Sequence, residues 1–264
     1  MIKGYLRYII FVTSVFGILL CLSPTIQAQN DYWHQRVSLF EKLPIESSDI
    51  VFLGNSITDG GEFQELFGYD NVKNRGIVGD VINGVRKRLN QVTSGHPAKI
   101  FLLIGINDVS HGHTAEKIAS MYEVLVKEIR EQSPETQLYI QSILPINNDF
   151  RRYKNLLGRE KIVPEVNALL PGIAERHGAV YVDLWPAFAG ADGKLSKAYT
   201  TDGLHLSGAG YKRWAEEVRS LLDDISTQPA SEANTESEEV EIASESDVET
   251  DVENPIPMIK RRIE

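Results

Sequence analysis

Between residues 49 and 225 the chain alternates short apolar runs with longer amphipathic stretches. Several runs are apolar at consecutive positions, as expected for parallel strands that are covered on both faces. The stretches between them repeat apolar residues at steps of three and four, as amphipathic helices do. The pattern predicts an α/β fold, a flavodoxin-like three-layer α/β/α sandwich around a central five-stranded parallel sheet. The strands are expected at residues 49–53, 72–74, 99–104, 137–142 and 179–182.

Three long helices are expected within the same region, at residues 114–132, 161–177 and 207–222. Pro134 follows the first and Gly178 follows the second, and these residue types commonly end helices. Nearer the N-terminus, aromatic residues spaced along residues 32–41 predict a further amphipathic helix. That helix either packs on the domain or forms one wall of a substrate cleft.

The N-terminus has the three-part form of a secretory signal. Lys3 and Arg7 precede an apolar run over residues 8–22, and polar and small residues follow up to Ala28. The run is shorter than the roughly 20 apolar residues that span a bilayer. We therefore predict a signal peptide over residues 1–28, a secreted or periplasmic protein, and no stable membrane insertion after cleavage. An uncleaved N-terminal anchor is the alternative.

The formal charge of −10 is concentrated at the C-terminus. Residues 226–264 hold 11 acidic and 3 basic residues, whereas residues 29–225 hold 26 and 22. A domain that is only mildly anionic, without a clustered basic face, argues against a nucleic-acid partner. We predict one domain over residues 29–225 and a disordered acidic tail over residues 226–264, because the tail has too few apolar residues to form a core. The single cysteine, Cys21, lies in the apolar run, which excludes disulfides and zinc–cysteine sites from the domain.

Four unusual segments follow the predicted strands or their connections, at residues 54–60, 74–80, 105–108 and 202–205. Ligands bind at the carboxyl ends of the strands in such sheets. Ser56 lies in the first segment, in a glycine-flanked turn that exposes its hydroxyl. A helix cap formed by Ser56 or Thr58 is the alternative interpretation. Asp202 and His205 are three residues apart, so the carboxylate can hold one imidazole nitrogen and leave the other free as a base.

Gly79 and Asn107 belong to the second and third segments. Acyl transfer needs N–H donors that meet the negative charge of a tetrahedral intermediate, and the Gly79 backbone, the Asn107 side chain and the Ser56 backbone each offer one. A turn glycine and a helix cap are the alternative interpretations of Gly79 and Asn107. The occurrence of all four segments at strand ends favours the catalytic interpretation.

The four segments resemble the sequence blocks of the GDSL-type, or SGNH, hydrolases, over about residues 50–221. The resemblance implies the SGNH hydrolase fold, Ser56 as nucleophile, His205 as base and Asp202 as its orienting acid. It also implies an oxyanion hole formed by Ser56, Gly79 and Asn107. Within the family the chain is most similar to the acetylhydrolases related to the catalytic subunits of platelet-activating-factor acetylhydrolase. No metal or organic cofactor is implied.

Two more residues are predicted to contact the substrate. Arg75 precedes the glycine loop and is expected to bind an anionic group, with an ion pair to Asp80 or Asp108 as the alternative. Asn55 stands where the family carries Asp, which removes a charge near the nucleophile. Two histidines at positions 111 and 113 are interpreted as solvated loop residues and not as a metal pair.

Export and the resemblance together predict a secreted serine esterase that hydrolyses short-chain acyl esters, acetyl esters above all. The expected substrate is a small-molecule or glycan O-acyl ester, with a carbohydrate as the leaving alcohol. A lysophospholipase or thioesterase with a longer acyl pocket is one alternative. A catalytically silent glycan-binding module is the other.

Overall fold

A five-stranded parallel sheet forms the centre of the fold, as the apolar runs predict. The computed structural model describes residues 24–223. The strand order is β2-β1-β3-β4-β5 and every neighbouring pair is parallel. The observed bounds lie within two residues of the predicted ones. They are β1 Ile50–Gly54, β2 Val72–Gly76, β3 Lys99–Leu103, β4 Gln137–Gln141 and β5 Val180–Val182.

The register of the three adjacent strands β2, β1 and β3 brings their carboxyl ends to one level. Gly54, the last residue of β1, is paired with Gly76 of β2 and with Leu103 of β3. The chain therefore leaves all three strands side by side. The segments that begin with residues 55, 77 and 104 start at neighbouring points on this edge of the sheet.

Helices of very different length connect and cover the strands. The predicted helix at residues 114–132 is observed with Thr114 as its N-cap, and the one at residues 161–177 ends just before Gly178, which has a left-handed φ of 59°. The described helices are α1 Pro24–Phe40, α2 Ser56–Asp59, α3 Phe63–Phe67, α4 Ile82–Lys87, α5 Asn90–Thr93, α6 Ile106–Ser110, α7 Ala115–Gln132, α8 Ile162–Arg176, α9 Trp185–Phe188 and α10 Gly208–Asp223, with 3₁₀ turns at Asn148–Phe150 and Lys154–Leu156.

A row of stacked aromatic rings fills part of the core next to the sheet. The Phe52 ring lies 4.9 Å from that of Phe101, which lies 4.4 Å from that of Tyr139. Trp214 of α10 packs edge-on against Phe52 and donates a hydrogen bond of 2.7 Å to Gln141. These rings are almost fully buried, so the sheet under the functional segments is closely packed.

The predicted N-terminal helix is present as α1. It packs on the domain, and Gln29 and Tyr32 also form part of the wall of the cavity above the sheet edge, so both expectations for this helix are met. The Tyr32 hydroxyl donates to Asp59 at 2.8 Å and the Trp33 indole donates to Asp80 at 3.2 Å, while Phe40 is buried. Within residues 24–223, none of the helices combines the length and the apolar character needed to cross a membrane. The predicted signal peptide lies mostly outside the described residues, and the predicted acidic tail lies entirely outside them.

Candidate active site

Ser56 is the first residue of α2 and follows β1 after a single residue. Asn55 supplies the N-cap, because its Oδ1 accepts a hydrogen bond of 3.0 Å from the Ile57 amide. The capping interpretation of Ser56 or Thr58 is therefore wrong, since the residue before them fills that position. The Ser56 hydroxyl consequently remains available to the cavity above the sheet edge.

The structure brings Ser56, His205 and Asp202 together, although 146 residues or more separate the serine from the other two in the chain. The Ser56 Oγ lies 2.9 Å from His205 Nε2, and His205 Nδ1 lies 2.8 Å from Asp202 Oδ2. The other oxygen of Asp202 accepts hydrogen bonds from the backbone amides of Leu204 and His205, at 2.9 and 2.8 Å. The turn itself therefore orients the carboxylate, and the carboxylate orients the ring.

Hydrogen bonding keeps Asp202 ionised. Partial burial opposes the charge, but hydrogen bonds from Tyr153, from the His205 ring and from two backbone amides together lower the pKa of Asp202. A carboxylate that stays charged at neutral pH holds the Nδ1 proton of His205 and so leaves Nε2 as the acceptor facing the serine.

Tyr153 is a residue of this site that the sequence did not indicate. Its hydroxyl lies 2.6 Å from Asp202 Oδ2 and 2.9 Å from His205 Nδ1. Partial burial raises the pKa of Tyr153 to about 12; the hydrogen bond to Asp202 adds to the rise and Arg152 opposes it. The residue belongs to an irregular segment between β4 and α8, where apolar periodicity gives no information.

Gly79 and Asn107 line the same cavity, of about 720 Å³, as Ser56 and His205. Gly79 has a left-handed φ of 76°, a backbone conformation that favours glycine, and the flexible end of the Gln29 side chain occupies the space where a Cβ would lie. The side-chain amide of Asn107 donates a hydrogen bond of 2.8 Å from Nδ2 to the backbone carbonyl of Asp80, which fixes the orientation of Nδ2. The predicted oxyanion donors therefore reach one cavity.

Arg75 does not line this cavity, so its prediction as a substrate contact needs correction. Its side chain is buried, donates to the backbone carbonyls of Asn74 and Leu43 at 3.0 and 2.9 Å, and lies 4.8 Å from the centre of the Phe40 ring. Burial lowers the pKa of Arg75 to about 10. The position just before the glycine loop is covered by α1 and its connection to β1, which sequence order did not reveal.

The alternative ion pairs for Arg75 are also wrong. Asp80 pairs instead with Arg88 at 2.8 Å, and Asp108 accepts a hydrogen bond of 3.2 Å from the Ile82 amide. Arg88 also donates to the Gly54 carbonyl at 3.1 Å. The buried Asp80–Arg88 pair therefore joins the end of β1 to the turn that contains Gly79.

Asn55 is fully buried and does not line the cavity, so the prediction that it contacts the substrate is corrected as well. Its carbonyl oxygen is used as the cap of α2. The asparagine therefore retains one acceptor that a carboxylate would provide at this position, and the two N–H groups of its Nδ2 have no partner among the described residues.

The two loop histidines lie apart from the catalytic candidates. His111 is exposed and His113 is half-buried, and neither lines the cavity over Ser56. In the described part of the chain, no group of three or more His, Cys, Asp or Glu side chains is placed to hold a metal ion.

A serine, an imidazole and a carboxylate hydrogen-bonded in series at the carboxyl edge of a parallel sheet form the arrangement of the serine hydrolases, which catalyse acyl transfer. Comparison with known proteins specifies the class further. The chain belongs to the GDSL-like lipase/acylhydrolase family, whose model matches residues 52–213. The SGNH resemblance and the fold predicted from it are thereby confirmed.

Known relatives cover most of the domain. The bovine platelet-activating factor acetylhydrolase IB subunit alpha1 is 29% identical over 203 residues, which are 73% of this chain and 84% of that protein. A solved structure of a candidate platelet activating factor from Streptococcus pneumonia is 27% identical, has a TM-score of 0.67, and the match covers 80% of this chain and 98% of the other. An acetyl-xylooligosaccharide esterase from Geobacillus shares the fold at 20% identity, with a TM-score of 0.54 and coverage of 72% and 99%.

Proposed function

We propose that the protein is an exported serine esterase that removes short acyl groups, acetyl above all, from a carbohydrate alcohol. The observation that carries the proposal is the unbroken series from Ser56 Oγ through the His205 ring to Asp202, with separations of 2.9 and 2.8 Å. Both distances are within the reach that a nucleophile and its base require.

In the first half of the reaction, His205 Nε2 accepts the Ser56 proton while the oxygen attacks the ester carbonyl. The imidazolium that forms is stabilised by the charge of Asp202. Negative charge develops on the former carbonyl oxygen, and the backbone N–H groups of Ser56 and Gly79 and the amide of Asn107 are its donors. His205 then gives the proton to the leaving alcohol, and an acyl-serine remains.

In the second half, water takes the place of the alcohol. His205 accepts a proton from the water as it attacks the acyl-serine, the same donors hold the oxyanion, and the proton returns to Ser56 as the carboxylic acid leaves. The side chains named here provide every proton transfer in the cycle. The free serine is restored for the next ester.

The size of the cavity bears on the two parts of the substrate. A cavity of about 720 Å³ has room for an acetyl group together with a sugar-sized alcohol, and a chain-length series of esters distinguishes this use of the space from a long acyl chain. The acetyl-xylooligosaccharide esterase shares this fold, and its name describes an acetyl ester of a carbohydrate. These two points, with the signal-like N-terminus, support an acetylated glycan as the substrate class.

The primary test is hydrolysis of 4-nitrophenyl acetate by the wild type and by Ser56→Ala. We expect the variant to fold normally and to lose activity by about 10³-fold or more, because the nucleophile is absent. Circular dichroism provides the control for folding. Activity within tenfold of the wild type would reject the assignment of Ser56.

A chain-length series of 4-nitrophenyl esters tests the acyl part separately. We expect kcat/KM to be highest for the acetyl and propionyl esters. A maximum at about eight carbons or more would favour the lysophospholipase or thioesterase interpretation. Binding of an acetylated sugar without any turnover would instead favour the silent glycan-binding module.

A further inference from the structure

The permanent charges on the wall of the cavity over Ser56 are all positive. Among the described residues that line it, Arg152 and Lys154 carry such charges and none is Asp or Glu. This is unexpected from the composition, since residues 29–225 hold more acidic than basic side chains. Positive groups in a cleft of an anionic protein concentrate negatively charged ligands there.

The acidic residues of the same segment, residues 147–160, are engaged elsewhere. Asp149 pairs with Lys194 at 2.7 Å, and Glu160 accepts a hydrogen bond from Asn148. These groups line a different cavity, next to Arg151. The two cations at the Ser56 cavity are thus left without a compensating carboxylate on its wall, and neither takes part in an ion pair between described residues.

Tyr153 lies between the two cations in sequence and anchors the backbone that carries them next to the reacting groups. Its hydroxyl is bonded to Asp202 and His205, and its ring centre lies 5.6 Å from that of His205. Leu156, two residues beyond Lys154, is buried. The backbone that carries the cations is therefore held at the catalytic side chains on one side and in the core on the other.

We propose that the substrate is a short-chain ester of an anionic alcohol, such as an O-acetylated acidic sugar, whose carboxylate binds Arg152 and Lys154. The inference rests on the proposed esterase function and specifies its substrate. An acetyl group has no charge, so the anionic group belongs to the alcohol. The planar guanidinium of Arg152 can bind a carboxylate in a bidentate manner, and the Lys154 ammonium adds a second positive charge.

A matched pair of aryl esters tests the charge directly: 4-acetoxybenzoate, which is anionic, and its neutral methyl ester. The measured quantity is the ratio of kcat/KM for the anionic ester to kcat/KM for the neutral one, compared between protein variants so that intrinsic reactivity cancels. We expect the double variant Arg152→Gln/Lys154→Gln to lower this ratio about tenfold relative to the wild type, a change of about 1.4 kcal/mol. The ratio in the wild type should also fall as ionic strength rises from about 0.01 M to about 0.15 M, because both cations are exposed.

Arg151→Gln is the control, because Arg151 is the adjacent cation and lines the other cavity. It should leave the ratio within about twofold of the wild type. An unchanged ratio in the double variant, or an equal fall in the control, would overturn the proposal and leave the esterase function intact. If Ser56→Ala retained activity on 4-nitrophenyl acetate, the esterase function itself would fail.

Discussion

Asp80 and Asp202 each pair with a basic side chain, but in different surroundings. The Asp80 and Arg88 side chains are each 1% exposed, whereas Asp202 is 19% exposed and its partner His205 35%. Burial raises the pKa of Asp80 although Arg88 opposes the rise. The pKa of Asp202 is lowered, because its hydrogen bonds outweigh the effect of its partial burial.

The difference in burial between the two pairs corresponds to two different roles, one structural and one in proton exchange. An interior pair joins segments of backbone, here the end of β1 and the Gly79 turn, and its charges have no access to solvent or substrate. In the second pair His205 lines the cavity over Ser56, so its imidazole can exchange a proton with a bound molecule. We therefore expect changes at Asp202 to affect turnover and changes at Asp80 or Arg88 to affect folding.

The largest effect is expected for Asp202→Asn. An amide in place of the carboxylate no longer holds the Nδ1 proton of His205, so the ring adopts the tautomer that cannot accept from Ser56; the same change in other Ser-His-Asp sites lowers kcat by about 10⁴. Hydrolysis of 4-nitrophenyl acetate measures this, with thermal unfolding as the control for stability. A loss below about tenfold would remove Asp202 from the catalytic series.

Arg88→Met should lower the stability of the fold, whereas Asp202→Asn should lower turnover. It leaves the Asp80 carboxylate buried without its partner, which typically costs about 3–5 kcal/mol in the free energy of unfolding. Urea denaturation followed by fluorescence measures the change. The double variant Arg88→Met/Asp80→Asn should regain most of it, because the neutral amide oxygen can still accept from Trp33 and Val81. A single variant as stable as the wild type would contradict a structural role for the pair.

Tyr153→Phe removes one donor from Asp202 and tests whether the tyrosine acts through the catalytic pair. The His205 ring is then oriented less firmly, so we expect kcat/KM for 4-nitrophenyl acetate to fall about tenfold. Tyr32→Phe is the control, because that cavity tyrosine donates to Asp59 instead and should leave kcat/KM within about twofold of the wild type. A Tyr153→Phe variant with the same kcat/KM as the wild type would restrict Tyr153 to a packing role.

The smallest effect concerns Asp108, which is buried but forms no ion pair with another described residue. Burial raises the pKa of Asp108 to about 6, so the folded state holds this proton more tightly than the unfolded state does. Stability is therefore lost as pH rises between about 4 and 6. Asp108→Asn should stabilise the protein by about 1–2 kcal/mol at pH near 7.5 relative to pH near 4.5, measured by urea denaturation at both values. A constant difference between variant and wild type would show that Asp108 does not titrate in this way.

The sequence contained most of the information about the strand ends. Gly54, Gly76 and Gly105 stand at or beside the ends of three strands, and the polar residues that follow them lie in the short connections where ligands bind in parallel sheets. Ser56, Gly79 and Asn107 could therefore be placed near one another from the sequence, whereas Asp202 and His205 lie well beyond the end of β5 and were placed with them by the family resemblance.

The contacts made by irregular segments could not be predicted from the sequence. Tyr153 contacts Asp202 across 49 residues of sequence, and no periodic pattern places the segment between β4 and α8. The error at Arg75 has a related cause: the residue follows a predicted strand, but Phe40 and the Leu43 carbonyl cover its side chain from a distant part of the chain. Side-chain coverage by remote segments is a tertiary property that local sequence does not specify.

The equal level at which β2, β1 and β3 end has a consequence for how this domain can diverge. Lengthening any of these strands by one residue would advance its loop by about 3.3 Å and turn its side chains to the opposite face, which would separate the serine from its amide donors. We therefore expect insertions and deletions within β1, β2 and β3 to abolish activity. Residues 147–160 are held by side-chain contacts and not by a strand, so this part of the cavity wall can change in length without moving the strand ends, provided that Tyr153 keeps its contacts with Asp202 and His205.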